Sequence, residues 1–130
     1  MPLVKIEILK GKTAAYKKAL LDSIHSALVQ VLKIPENDRI QRLYELESSH
    51  FEFSSPKTSQ LTLLEITLFP GRKRETKKNL YESIVQNLGK NPGIQPDDIF
   101  IILLEPPLEN WGIRGGKPAD EIQFSYKIDL

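Results

Sequence analysis

The sequence predicts an α+β fold of two duplicated β-α-β units that share one four-stranded sheet, with both helices on one face and a C-terminal hairpin. Three observations predict it. Apolar and polar residues alternate from Leu3 to Leu9, apolar residues then recur at helical spacing to about Leu32, and the same succession returns sixty positions later without a gap.

In the first strand Val4, Ile6 and Ile8 fall on one side and Lys5 and Glu7 on the other, as in a strand covered on one face. Gly11 ends it and Thr13 stands where a helix cap is needed. Leu20, Leu21, Ile24, Leu28 and Val31 then form one helical stripe. Ile34-Pro35-Glu36-Asn37-Asp38 reads as stop and turn, and Arg39 to Leu46 is extended again. In the second unit Leu64, Ile66 and Leu68 answer Val4, Ile6 and Ile8. Gly71 answers Gly11, and Leu80, Ile84 and Leu88 answer Leu20, Ile24 and Leu28. Asp98 answers Asp38. The register predicts a strand near Leu61 to Phe69, a helix near Glu75 to Leu88 and a strand near Ile99 to Glu105. In the tail, Pro106-Pro107 and Gly112 to Gly116 suggest turns, with a short last strand at Gln123 to Ile128. Right-handed crossovers related by a pseudo-twofold axis put both helices on the same face. The opposite face would carry Lys5, Glu7, Leu9, Leu63, Glu65, Thr67 and Phe69. It is too polar for a core and too apolar in places for water, so oligomerisation is expected to cover it.

A length of 130 residues suits one domain, 1–130, with its internal repeat over 1–55 and 61–130. Hydrophobic residues at 40% and charged residues at 27% match ordinary globular usage and exclude a disordered or fibrous chain. Eighteen basic residues against 17 acidic ones give no electrostatic case for nucleic acid. The absence of cysteine removes disulfides, thiolate metal sites and a Cys nucleophile together. No run approaches membrane-spanning length and the first residues lack a basic leader, so a cytoplasmic protein without a membrane partner is expected.

Pro2 is the first candidate for chemistry. Methionine is normally removed before a small second residue, and an amino-terminal proline is a free secondary amine. It titrates near the α-amino range of about 7.7–8.0 and can be moved lower by apolar surroundings or cations, which suits a general base. A proline at a strand start also needs no chemical explanation. Arg72, after Gly71 at the mouth of the second helix, could join the helix amides in gripping a carboxylate. Arg74 lies in the same first turn, where a solvated charge explains it at least as well. Asp38 could orient water or hydrogen-bond the amine, or serve as a turn residue like Asp98. Trp111, followed by Gly112-Ile113-Arg114-Gly115-Gly116, could line a pocket, make a subunit contact or lie buried under a glycine turn. His25 and His50 do not pair, so neither a metal nor a cofactor is expected. Gly11-Lys12-Thr13 lacks the earlier glycine of a phosphate loop, since that position is Ile6.

With Pro2 at a strand start, the doubled unit, Asp38 after the first helix and Gly71-Arg72 opening the second, the chain resembles the tautomerase superfamily, with its 4-oxalocrotonate tautomerase-like, or MIF-like, fold. Within it the resemblance is strongest to the malonate semialdehyde decarboxylase group. It runs through Pro2-Leu3, Ile34-Pro35-Glu36-Asn37-Asp38-Arg39, Gly93-Ile94-Gln95-Pro96-Asp97-Asp98 and Trp111. The resemblance implies a homotrimer with the proline amine on the floor of a pocket between subunits, Asp38 assisting it and Arg72 binding a carboxylate. The decarboxylase pattern has two arginines two apart. Ungapped alignment puts the later on Arg72 and the earlier on Pro70, whereas a shift of two would use Arg72 and Arg74. The expected activity is keto-enol tautomerisation of a small 2-oxo acid such as phenylpyruvate or a dienol acid. The alternatives are decarboxylation or hydration of a small 3-oxo acid and a non-catalytic trimeric binding protein.

Overall fold

The structure, a computed structural model, describes residues 1–129. It contains β1 (Leu3–Leu9), α1 (Ala14–Leu32), β2 (Ile40–Leu46), β3 (Thr62–Thr67), α2 (Arg74–Lys90), β4 (Ile99–Leu104), β5 (Gly112–Ile113) and β6 (Lys117–Pro118). β1 to β4 form one sheet in the order β2-β1-β3-β4, and β5 and β6 form the small hairpin. Within each unit the two strands are parallel, as a helical crossover requires, and the units meet through an antiparallel β1-β3 pair. Lys5 stands directly opposite Glu65, its counterpart sixty residues on, so the pseudo-twofold axis passes beside this oppositely charged pair. The outer strands obey the same symmetry, since Leu3 faces Ile40 and Leu63 faces Phe100.

The helices begin differently. Thr13 caps α1 by accepting from the Tyr16 amide at 3.1 Å, whereas α2 starts after Lys73 with no side-chain cap and has Glu75 in its first turn instead. Leu20, Ile24, Leu28 and Leu32 of α1 and Leu80, Ile84 and Leu88 of α2 bury their stripes against Val4, Ile6, Ile8, Leu64, Ile66 and Leu68. Ser23 and Asn87 bind the helices across their seam. The Ser23 hydroxyl donates to the Asn91 carbonyl at 2.6 Å and the Asn87 amide donates to the Ser23 carbonyl at 3.1 Å. No helix among the described residues is long and apolar enough to cross a membrane.

The second sheet face is open as expected, with Ile40, Tyr44, Phe100, Ile102 and Leu104 exposed on its outer strands. Phe69 departs from expectation. It is fully buried against Trp111 and Phe124, with ring centroids 4.7 Å from each, because the tail folds across that end of the sheet. The tail also corrects the expected last strand. The hairpin lies at Gly112 to Pro118, and Gln123 to Ile128 forms no strand. Its alternation arises because Phe124, Tyr126 and Ile128 pack back on the core with no ladder partner among the described residues.

Ile84→Ala tests the shared core. Its side chain is fully buried between sheet and helices, and its truncation is expected to cost about 2–5 kcal/mol in denaturant unfolding. A loss within about 0.5 kcal/mol would contradict this packing.

Candidate active site

Register brings the start of the chain to one of the candidate residues, Asp38. Leu3 is level with Ile40 in the parallel β1-β2 pair, so two residues earlier on each strand Met1 comes level with Asp38. The turn that ends α1 fixes Asp38, whose amide donates to the Pro35 carbonyl at 3.0 Å. The chain's amine lies 3.3 Å from the Asp38 carboxylate and also donates to the Tyr126 hydroxyl. These groups lie at a cavity of about 250 Å³, whose walls include Asn37, Ile113, Arg114 and Phe124.

The electrostatics of the amine are set by opposing effects. Burial is the largest and disfavours the charged form. Asp38 works against it through charge and hydrogen bonding, and the Arg72 cation adds to it, leaving the amine below its ordinary value of 8.0. Tyr126 is pushed up to about 12, first by burial and then by the Asp38 charge, against the pull of Arg72 and Arg114. Its hydroxyl is therefore neutral and able to donate at any physiological pH.

Pro2 is buried immediately behind Met1 at the head of β1. In the chain bearing Met1 its nitrogen is an amide without a proton. Arg72 is buried too. One guanidinium nitrogen donates to the Phe69 carbonyl at 3.1 Å, and its Nε has no hydrogen-bond partner among the described residues. Burial lowers its pKa, with Tyr126 and Glu105 opposing. The tail closes over this corner. Gly71 has φ +127°, and a Cβ there would stand 2.9 Å from the Ile128 carbonyl oxygen.

The other sequence candidates lie elsewhere. Arg74 is exposed at the first turn of α2 and does not line the cavity. Trp111 anchors the second core, its indole N–H donating to the Pro106 carbonyl at 3.1 Å, and it too is outside the cavity wall. Asp98, the repeat counterpart of Asp38, is buried and accepts from both the amide and the hydroxyl of Thr58. It fastens the connection between the units. Arg114 and Tyr126, both at the cavity, were not among the leading candidates. Their signals were an arginine set among glycines and a tyrosine in the Phe124-x-Tyr126-x-Ile128 alternation.

Comparison with known proteins places the chain in one family. Residues 38–114 match a family model described as tautomerase enzyme, and residues 2–54 match a second model of the same description. The chain is 30% identical over 123 residues to the probable tautomerase YusQ of Bacillus subtilis (strain 168), covering 90% of this chain and 96% of that one. A malonate semialdehyde decarboxylase with decarboxylase and hydratase activities superposes with a TM-score of 0.81 at 29% identity, over 91% of this chain and 94% of the other. A fused 4-OT described as a symmetric trimer gives a TM-score of 0.80 at 25% identity, over 91% and 96%. With its β-α-β duplication, its amine-bearing cavity and a family match spanning more than half its length, the chain belongs to the tautomerase family.

Proposed function

We propose that the chain, once Met1 is removed, is an amino-terminal-proline tautomerase that interconverts the enol and keto forms of a small 2-oxo acid. One observation carries this reading: the amine at the head of β1 is partly buried on a cavity wall between Asp38 and Tyr126, with its pKa held below 8.0. Loss of Met1 transfers the free amine to Pro2, one residue or about 3.8 Å further along the strand. The neutral Pro2 nitrogen accepts the proton of the enol hydroxyl and delivers it to C3, while the double bond passes from C2=C3 to C2=O. The neutral Tyr126 hydroxyl, which shares a hydrogen bond with Asp38 and lines the same cavity, is the donor we assign to the oxygen on which charge develops. Arg72, behind the wall, favours the neutral amine by its charge.

The ion pair between the amine and Asp38 favours a second reading. A carboxylate at 3.3 Å supports the ammonium form, which would polarise the carbonyl of a 3-oxo acid for decarboxylation or hydration. The similarity to malonate semialdehyde decarboxylase points the same way. For the assembly we infer a homotrimer that covers the open sheet face, in keeping with the trimeric fused 4-OT.

Phenylpyruvate enol-to-keto conversion, followed on protein shown by mass to begin at Pro2, tests the first reading. Pro2→Ala is expected to lose about 10²–10⁴-fold in rate, and protein retaining Met1 is expected to be inert. Activity that survives in both would overturn the proline mechanism.

The pH profile separates the two readings. In the tautomerase the neutral amine is active, so kcat/KM rises with pH through the amine pKa, below the ordinary 8.0. Asp38→Asn removes the charge and hydrogen bond that raise that pKa, so the rising limb is expected to move to lower pH. In the decarboxylase the ammonium is active. The same substitution then moves a falling limb to lower pH and reduces the rate at neutrality.

A further inference from the structure

His25 takes no part in the chemistry above, yet it is only 2% exposed, on the buried side of α1. A buried imidazole needs a partner, and its Nε2 lies 2.7 Å from the Glu36 carbonyl oxygen. A carbonyl only accepts, so Nε2 carries the proton and donates. Glu36 belongs to the turn, residues 34–38, that ends on Asp38. We propose that His25 is a positioning residue for Asp38: by holding this turn to α1 it keeps the carboxylate at the chain's amine. The proposal rests on the reading in which Pro2 supplies the reacting amine and Asp38 acts on it.

Two further bonds fasten the same stretch to neighbouring residues of α1. Arg39 donates to the Asp22 carboxylate at 2.6 Å, and the Gln41 amide donates to the Leu21 carbonyl at 2.8 Å. Asp38 therefore lies between tethered residues, Glu36 before it and Arg39 and Gln41 after it. The Arg39 pair is exposed to water and shares Asp22 with Lys18, so it holds the chain weakly. The Glu36 carboxylate, 3.6 Å from the same His25 nitrogen, is exposed and adds little. The bond from His25 is the one whose donor is shielded, and its loss leaves a carbonyl that water does not readily satisfy. None of these contacts involves Met1, so they stand whichever residue bears the amine.

The internal repeat gives an independent indication. Sixty residues on, His25, Arg39 and Gln41 are answered by Val85, Ile99 and Ile101, whose side chains make no such bonds. There the equivalent turn is fastened by the connection between the units. Lys57 donates to the Asp97 carbonyl, and the Thr58 amide and hydroxyl both donate to the Asp98 carboxylate. That arrangement occupies the carboxylate itself. Holding the first turn through the Glu36 carbonyl instead leaves the Asp38 carboxylate open to the amine and to Tyr126. The tether from α1 thus occurs in the unit whose carboxylate faces the cavity.

The test reads the influence of Asp38 at the Pro2 amine, by NMR titration of protein beginning at Pro2. Asp38 raises and Arg72 lowers the midpoint of a chain-terminal amine at this end of the sheet, so a loosened Asp38 lowers it. Tyr126 and Arg114, at the same wall, are left in place throughout. His25→Leu fills the space without a donor. It is expected to lower the Pro2 midpoint by about half a unit or more, a part of the roughly 1–3 units that a nearby opposite charge supplies. Asp38→Asn is expected to lower it further, with His25→Leu adding nothing in that background. His25→Gln, whose amide nitrogen reaches where Nε2 stands, is expected to keep the parent midpoint, and His25→Asn, one methylene shorter, to lose it. Ile84→Ala, which loosens the core from α2, is expected to leave the midpoint unchanged. An unmoved midpoint in His25→Leu overturns the assignment, as does an equal shift with Asp38 already replaced or a shift as large in Ile84→Ala. If His25→Leu does not fold, equal midpoints in the Gln and Asn variants overturn it. An Asp38→Asn midpoint equal to the parent's overturns it too, because Asp38 then has no influence to be positioned. The expected shifts, in a parent that does not turn over phenylpyruvate enol, leave His25 assigned and count against the tautomerase reading alone.

Discussion

The parallel register of β1 against β2 is the constraint on which the site depends. It sets the head of β1 level with the turn after α1, and so puts a chain-terminal amine and the Asp38 carboxylate at one end of the sheet. A free amine on a loose tail would keep its ordinary α-amino behaviour. Here Pro2 is buried at the start of a strand held on both sides, by β2 and by β3, so the position of the nitrogen follows from the sheet itself. The central β1-β3 pairing carries that strand, and the two helices bury its other face.

Duplication supplies the scaffold, and departures from symmetry supply the candidate chemistry. Asp38 and Asp98 occupy equivalent positions, yet Asp98 is enclosed and satisfied by Thr58 while Asp38 faces the cavity and the amine. The difference comes from their neighbours. The connection between the units supplies Thr58 to one of them, and the start of the chain supplies an amine to the other. The tail follows only the second unit and completes the asymmetry. It buries Phe69 under Trp111 and Phe124, closes over Gly71 and Arg72, and brings Arg114 and Tyr126 to the wall facing the amine.

The sheet and helices were legible in the sequence because each is coded by a local period repeated twice. The first helix was expected to about Leu32 and ends there, and the second, expected from Glu75 to Leu88, runs Arg74–Lys90. Asp38 was legible through the turn that precedes β2. The tail was not, since its path is set by contacts distant in sequence. Alternation at Phe124, Tyr126 and Ile128 gives the same pattern whether a segment joins a ladder or only packs one side on a core. Phe69 has the phase of the open face, and only the arrival of the tail buries it. Arg72 stood out for its place before a helix, but its burial, like the meeting of Arg114 with Tyr126, depends on that same path.

The central claim is that this fold disfavours the charged form of an amino-terminal amine, so that its neutral form serves as the base. The direct measurement is an NMR titration of the Pro2 nitrogen in protein lacking Met1, with isotope label confined to proline. The account predicts a midpoint below the ordinary α-amino range of about 7.7–8.0, in keeping with the burial and the Arg72 charge that lower the Met1 amine one residue away. A midpoint above that range would show that Asp38 prevails and that the amine works as an ammonium, contradicting the base mechanism.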